Sequence, residues 1–272
     1  MDLLGVTRLL LADPAAFRVF GVFEQSSSIK LMYYSIKDRG HRYRVATSDD
    51  GFSFSLEQTG HQIKQGALMN EKLPKSEHFR TTRTMVGLAF TYQRHQRHFS
   101  ELRVALQPSS TAPVKVIARI QTQAQSGMII PDYLWNQSHA MLLAGKDGLQ
   151  VAYSSSLKDW EVVETPILQP NEQKDGESAD MVVHHIFSVR EGIAVLYEQV
   201  TPDKRKQLWS LLLDPEDLTR VIWQSSHPVW EQPTDWTAGV ESLGGVSHNG
   251  QIISYFSVPG QGIIGVLHSL HV

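Results

Sequence analysis

Short apolar runs, rather than helical repeats, organise this chain. β-Branched and aromatic residues recur in brief stretches, many of them alternating with polar residues, as in KLMYYSI and IISYFSV. Turn pairs separate these stretches, among them Asp50-Gly51, Asp147-Gly148, Glu191-Gly192 and Asn249-Gly250. Alternating runs bounded by such turns are typical of strands joined in hairpins. The pattern predicts an all-β protein.

The runs form a repeating unit of a strand, a turn, a strand with a small residue, another turn and a further strand. Equivalent points of five successive units are Val45, Val104, Val151, Ser210 and Val266. Their spacing of roughly 47 to 59 residues suits four short strands with turns, which is one propeller blade. A β-sandwich with accidental periodicity is the alternative, and five units in register favour the propeller. We therefore predict a single five-bladed β-propeller domain over residues 1–272.

The fifth unit ends after its third strand, IIGVLHSLHV. An open blade would leave a sheet edge ready to pair with another chain, so a closed propeller needs a fourth strand from elsewhere. The apolar run Gly5–Leu11 is the natural donor. We predict that this N-terminal strand closes the last blade.

Composition narrows the class of function. The 272 residues are 41% hydrophobic, carry a net charge of −3 and show no block of Lys and Arg, which argues against a nucleic-acid partner. The chain has no Cys, so disulfides and thiolate chemistry are excluded, as suits a reducing compartment. Its start, MDLLGVTRLLLADPAAF, lacks a basic n-region and is too short to span a bilayer. We expect a cytoplasmic protein without a membrane partner.

The stretch KSEHFRTTRTMVGLAFTY begins with ionisable residues and continues as an apolar strand. Glu77, His78, Arg80 and Arg83 all lie in its first half. They could form a solvated lip or the floor of a site. Motifs elsewhere in the chain favour the second interpretation, in which these residues form the floor of a site.

Several of these motifs resemble those of a known family. YRVATSDDGFSF and LQVAYSSSLKDWEVVETPILQP have the form of its two Ser-containing turns, and the segment from LWSLLLDPEDL to IIGVLHSL has the form of its closing strands. In these features the chain is similar to the mannoside phosphorylases and related enzymes of glycoside hydrolase family 130. The resemblance covers nearly the whole chain and implies a five-bladed propeller, with a site in the axial funnel where the innermost strands begin.

The same resemblance places the catalytic acid of that family on an altered motif. The family's acid is the Asp of a Glu-Asp-Pro-Arg motif, which falls in this chain on Glu77-His78-Phe79-Arg80. Glu and Arg are kept, whereas His78 replaces Asp and Phe79 replaces Pro. An imidazole is an uncommon acid for glycosides, so loss of catalysis is the favoured interpretation, although His78 could donate a proton at neutral pH.

The basic residues that hold phosphate in the family's phosphorylases are also replaced. Tyr34 or Ser35, Ala144 or Gly145, and Glu198 stand at the three cationic positions. A carboxylate and uncharged side chains bind a phosphate dianion poorly. These replacements argue against phosphorolysis.

Four acidic residues are predicted to open inner strands and to face one funnel: Glu77, Asp132, Asp180 and Glu241. Inverting hydrolysis needs two carboxyl groups about 6.5–9.5 Å apart, so a pair of these could serve. Alternatively they cap loops or pair with Arg80 and Arg83, since structural ion pairs cluster in the same way.

Histidine and aromatic residues supply further candidate contacts. His184 and His185 should point to opposite faces of a strand, so at most one can face the funnel. Tyr133 and Trp236 could stack on a sugar ring, whereas Trp160 and Trp223 are expected in the core. His95 and His98 fit a solvated loop better than a metal site, and no metal or other cofactor is expected.

Three functions remain open. The favoured one is a glycosidase-like propeller that binds a mannoside-like carbohydrate in its funnel through residues drawn from Arg80, Tyr133, His184, Glu198, Trp236 and Glu241. The first alternative is an active, phosphate-independent glycoside hydrolase using Asp132, Asp180 or Glu77. The second is a non-catalytic interaction scaffold. The kept Glu77, Arg80 and Asp132, with several aromatic residues nearby, argue against an empty funnel.

Overall fold

Five antiparallel sheets arranged in a ring make up the structure. The computed structural model describes residues 2–11, 16–25, 27–37, 40–56, 76–95, 100–109, 112–170, 180–236 and 239–269. Within these ranges the regular secondary structure is entirely β, and no helix is long and apolar enough to cross a membrane. The protein is an all-β, five-bladed β-propeller, as the repeating pattern predicts.

Each sheet is one blade, and its strands are ordered from the axis outwards. Blade one is β3 (Ala16–Gln25), β4 (Ser28–Lys37), β5 (Gly40–Ser48) and β6 (Ser53–Leu56). Blade two is β7 (Ser76–Thr84), β8 (Gly87–His95), β9 (Ser100–Gln107) and β10 (Lys115–Gln121). Blade three is β11 (Ala124–Ile129), β12 (His139–Gly145), β13 (Gly148–Ser154) and β14 (Glu161–Val162). Blade four is β15 (Met181–Val189), β16 (Gly192–Val200), β17 (Lys206–Leu213) and β18 (Val221–Gln224), with β19 (Trp230–Glu231) also paired to β17.

Blade five closes the ring. It contains β20 (Glu241–His248), β21 (Gln251–Val258) and β22 (Gly262–Ser269), and its fourth strand is β1 (Asp2–Arg8) from the N-terminus. Asp2 pairs with Ser269 and Arg8 with Ile264, which confirms the predicted closure. The donated run is divided, however, because β2 (Leu10–Leu11) pairs in parallel with β6 of blade one. The N-terminal segment therefore ties the last blade to the first.

The predicted repeat register is confirmed by the strand order. Its five equivalent residues all lie in the third strand of their blades, on β5, β9, β13, β17 and β22. Apolar side chains from these and neighbouring strands are buried in clusters that join adjacent blades. Trp160 packs against one such cluster as expected, whereas Trp223 is 51% exposed on the outer strand β18, so its predicted core position is wrong. An edge strand has no neighbouring sheet to cover its outer face.

The innermost strands β3, β7, β11, β15 and β20 surround the axis. The structure has two ends, which we call the head, where these strands begin, and the foot, where they finish. Every inner strand has a register slip in its first half, as at Val19/Gly21, Ala124/Ser126 and Ser242/Gly244. A bulge changes the direction of a side chain and is common beside functional sites. The recurrent bulges set what faces the axis.

Candidate functional site at the head of the propeller axis

A cavity of about 300 Å³ opens at the head, and we call it the head cavity. It is lined by Val19, Phe20, His78, Phe79, Lys206, Gly239, Val240, Glu241, Ser242 and Leu243. Apolar walls from blades one, two and five thus meet an imidazole, an ammonium group, a carboxylate and a hydroxyl. Ligand sites commonly combine a mainly apolar lining with a few convergent polar groups.

The altered motif of blade two lies at this cavity. The register of β7 slips between Glu77 and Arg80, and His78 within the slip has φ of 50°. His is among the few residue types enriched in that left-handed region, so the bulge and the residue type agree. His78 is half-buried and lines the cavity, as predicted for a site residue. Glu77 pairs through its backbone with Gln93, and its side chain lies outside what the structure describes.

Arg80 lies behind the cavity wall and is 2% exposed. Its Nε donates to the Val183 carbonyl at 2.7 Å, and its Nη1 donates to the Phe79 carbonyl at 2.9 Å. Nη1 and Nη2 also approach the carbonyl and Oγ of Ser242, at 3.4 and 3.2 Å. Burial lowers the pKa of Arg80 to about 10, an effect partly opposed by the Glu198 carboxylate. The guanidinium joins blades two, four and five, and its donors are used by protein acceptors. Arg80 does not line the head cavity, so its predicted role as a direct ligand contact is wrong.

His184 completes a polar layer across the axis. Its Nδ1 lies 2.8 Å from Ser242 Oγ, and its ring stacks on Phe256 at 5.4 Å. Burial, with the nearby positive Arg80, lowers the pKa of His184 well below its usual range, so the ring is neutral. Gly244 has φ of 94°, in the left-handed region that favours glycine, and it packs against Arg80 Cδ and the His184 carbonyl, each 3.4 Å from where a Cβ would lie. We call Arg80, His184, Ser242 and Gly244 the axial plug.

Both adjacent histidines contact blade five, contrary to the expectation that they face opposite ways. The register of β15 slips between Val183 and His185, which leaves His184 in a bulge. His185 Nε2 accordingly lies 3.0 Å from Ser247 Oγ, while His184 reaches Ser242 on the same strand. The strict alternation of an extended strand fails at a bulge. His184 is fully buried in the plug, so it offers no surface to a sugar.

The cation at the cavity is already neutralised. Lys206 Nζ forms an ion pair and hydrogen bond with Glu198 Oε1, between neighbouring strands of blade four. Glu198 has no exposed surface, so its predicted role as a direct ligand contact is wrong, and it acts through Lys206 instead. A paired ammonium attracts a phosphate dianion much less than a free one. The Lys206 charge is therefore already balanced within blade four.

The four predicted carboxylates divide between the two ends. Glu241 begins β20, is exposed and lines the head cavity, and Asp180 immediately precedes β15 at the head. Asp180 Oδ1 is buried and makes no hydrogen bond within the described residues. Asp132 follows the end of β11, so it lies at the foot, and the expectation that it opens an inner strand is wrong. The inner strand of blade three is the earlier segment Ala124–Ile129.

Neither predicted aromatic platform lines the head cavity. Trp236 is 7% exposed and packs against Trp230 and Phe256 in the core of blade five. Tyr133 is half-buried in the segment after β11, where its hydroxyl donates to the Pro215 carbonyl at 3.0 Å. Burial of aromatic rings between blades explains both positions. His95 ends β8 rather than lying in a loop, and His98 lies outside the described residues.

Sequence reasoning missed Lys206 and Ser242. Lys206 begins the third strand of blade four, and its pairing with Val200 brings it to the level of Glu198. A hairpin register counted from the turn Thr201–Arg205 could have revealed this pair. Ser242 carries no such signal, because its role depends on contacts between blades. Among the described residues, no group of three or more His, Asp or Glu side chains could hold a metal ion.

Comparison with known proteins supports the fold. No protein-family model matches the chain, and no curated protein sequence does. A glycosyl hydrolase from Bacteroides ovatus matches with a TM-score of 0.71 and 17% identity, covering 92% of this chain and 84% of that chain. The β-1,2-mannobiose phosphorylase of Listeria innocua, solved with β-1,2-mannobiose, matches with a TM-score of 0.69 and 15% identity. The match covers 96% of this chain and 92% of that chain.

A third solved structure comes from work on glycoside hydrolase family 130. This family of mannoside phosphorylases contains glycoside hydrolases that target β-1,2-mannosidic linkages in Candida mannan. The structure matches with a TM-score of 0.71 and 16% identity, over 92% of this chain and 84% of that chain. The chain is therefore a five-bladed propeller of the kind found in family 130 glycoside hydrolases and mannoside phosphorylases. At this level of identity the likeness establishes the fold, and the function must be argued from the site.

Proposed function

We propose that the protein is a glycosidase-like propeller that binds a neutral, mannoside-like carbohydrate in the head cavity. The observation that carries this proposal is the cavity itself: about 300 Å³ at the head, with His78, Lys206, Glu241 and Ser242 set among apolar residues. Its volume is at the lower end of the range of small-molecule sites, about 300–1,000 Å³. A small saccharide fits that volume.

The polar groups suit hydroxyls rather than an anion. Glu241 can accept hydrogen bonds from a sugar, and the His78 imidazole can donate or accept one. Phe20 and Phe79 offer apolar surface to the C–H face of a sugar ring. Lys206 is held by Glu198, so a free phosphate dianion gains little from it. The site therefore favours binding of an uncharged sugar over phosphorolysis.

A second candidate function is phosphate-independent glycoside hydrolysis. It is favoured by the presence of His78 and Glu241 at one cavity and by Asp180 at the same end, with an oxygen that makes no hydrogen bond within the described residues. A protonated His78 would act as the acid on the leaving oxygen, and Glu241 or Asp180 would activate water. Glu77 remains a candidate for either role through its place beside His78.

Binding is tested by calorimetry and thermal unfolding of the full chain with mannose and β-1,2-mannobiose. A ligand at 100 times its Kd should add about 2.7 kcal/mol to the free energy of unfolding. Glu241→Gln and His78→Ala should weaken binding at least tenfold. Glu216→Gln is the matched control, because this exposed glutamate lies in the β17–β18 connection and does not line the head cavity. No response to any saccharide would favour the scaffold instead.

Catalysis is tested separately, with mannobiose and aryl mannosides in the presence and absence of phosphate. Release of mannose without phosphate, abolished by Glu241→Gln or Asp180→Asn, would establish the hydrolase. Binding without turnover by the parent chain, together with turnover by His78→Asp, would show that the acid alone is missing. Turnover that requires phosphate would contradict the reasoning from Lys206 and Glu198.

A further inference from the structure

A second and larger cavity lies at the foot of the propeller, on the far side of the axial plug. Its volume is about 590 Å³, and all five blades contribute to it. Nine polar residues lie in the lining: Glu24, Ser27, Thr81, Thr82, Arg83, Asp132, His185, Ser188 and Ser247. On β7 and β20 the head cavity takes residues 78–79 and 241–243, and the foot cavity takes residues 81–83 and 245–247, so the two linings share no residue. The two cavities are therefore separate sites.

Buried polar atoms in this wall lack partners. His185 is 7% exposed, and its Nε2 lies 3.0 Å from Ser247 Oγ, whereas its Nδ1 makes no hydrogen bond within the described residues. Thr81 is 8% exposed, and its Oγ1 likewise makes none. Most buried polar atoms in proteins are hydrogen-bonded, so two such atoms in one cavity wall require an explanation. A polar guest in the cavity provides one.

The rim of the foot cavity carries charges of both signs. Asp132 is exposed and forms no ion pair with another described residue, and its φ of 49° lies in the left-handed region, which Asp tolerates better than most residues. Arg83 is exposed on β7, and the Glu24 carboxylate lies 3.1 Å from His248 Nδ1. Because His248 engages the Glu24 carboxylate, the Asp132 carboxylate and the Arg83 guanidinium are the charges left at the rim, and neither an anion nor a cation is strongly favoured.

We propose that the foot cavity is a second binding site, for a neutral ring polyol of about monosaccharide size. The Asp132 carboxylate and the Arg83 guanidinium can each form hydrogen bonds with two adjacent hydroxyls of the ring. The Ser188 and Ser247 hydroxyls add further hydrogen-bonding partners. Phe23 and Phe187 line the same cavity and supply apolar surface for the C–H face of the ring. This site is independent of the head cavity and of any catalysis there.

The test uses the full chain with D-mannose and myo-inositol as probes, observed by saturation-transfer NMR. Asp132→Asn keeps a residue that tolerates the left-handed conformation but removes the charge, and should weaken binding at the foot more than tenfold. Ser188→Phe places a ring in the cavity from an exposed strand position, so it should block binding without disturbing the core. Asp147→Asn removes the same charge from an exposed turn that lines neither cavity, and should change nothing.

Binding that survives Glu241→Gln and is lost when either Asp132→Asn or Ser188→Phe is added to Glu241→Gln would support the foot site. Absence of binding for both probes in the parent chain would overturn it. So would binding that is lost in Glu241→Gln but kept in the two foot variants, because the probe would then occupy the head cavity alone. A lack of binding at the head leaves the foot result readable, since the two sets of variants are separate.

Discussion

Replacing Arg80 by methionine tests whether the axial plug holds the blades together. The substitution keeps an unbranched side chain but removes the donors that reach Val183 on blade four and Ser242 on blade five. A hydrogen bond from a charged donor contributes about 1.5–3 kcal/mol, and two of these contacts are within normal hydrogen-bond distance. Relief of the desolvation of the guanidinium offsets part of the loss.

The net effect should be a decrease of about 3–5 kcal/mol in the free energy of unfolding, because two bonds of about 1.5–3 kcal/mol each are lost and the relief of desolvation offsets only part of their sum. Urea denaturation, followed by both tryptophan fluorescence and far-UV circular dichroism, measures it and tests two-state behaviour. Arg83→Met is the matched control: Arg83 lies on the same strand but is exposed, so its replacement should change stability by no more than about 0.5 kcal/mol. Equal stability of the two variants would refute the role assigned to the plug.

Three further predictions concern the histidines, a glycine and the closing strand. Burial lowers the pKa of His185 to about 3 and that of His268 to about 4, so the unfolded chain takes up protons first as pH falls below about 6.5. The free energy of unfolding should be highest above that pH and should fall towards pH 4 by up to about 1.4 kcal/mol per pH unit for each histidine. His185→Gln should make this dependence on pH less steep when the free energy is measured by urea denaturation at a series of pH values. An unchanged pH dependence would contradict the buried neutral state of His185. Gly51→Ala should destabilise more than Gly250→Ala in thermal unfolding, because both glycines have positive φ but only at Gly51 would a Cβ meet Ile253 Cδ1, at 2.4 Å; equal losses would show that the neighbours move aside. Removal of residues 1–8 should expose the edge of β22 and give oligomers in size-exclusion chromatography, whereas an elution volume and unfolding midpoint like those of the parent chain would argue against closure by β1.

The blade architecture can be predicted because each blade repeats a local pattern. Val45, Val104 and Val266 recur in strands whose turns carry their own signals, so the sequence places the third strands in register. The inner strand of blade three escapes prediction because AQSGMI has no alternating pattern and contains a Ser and a Gly. Both are buried, and a Cβ at Gly127 would meet Leu102 Cδ2 at 2.6 Å. Packing between blades, rather than strand propensity, determines that segment.

The place of the site can also be predicted, but the roles of its members depend on bulges and on contacts between distant residues. The sequence places His78 correctly at the head because it lies at the start of a recognisable strand. Arg80 resembles a ligand contact in the sequence, since no pattern shows that Val183 and Ser242 accept its hydrogen bonds. The slip in β15 likewise gives no signal at His184 and His185, and it redirects both rings to blade five.

Closure by the N-terminal strand has a consequence for biosynthesis. Asp2 pairs with Ser269, so β1 leaves the ribosome long before its partner β22 exists. At about 5–20 residues per second, the interval between the two strands is on the order of tens of seconds. During that time β1 must stay unpaired or find a temporary partner, while blades one to four can already form. Pairing of β1 with β22 is then a late step of folding, and a chaperone that shields β1 would act before that moment.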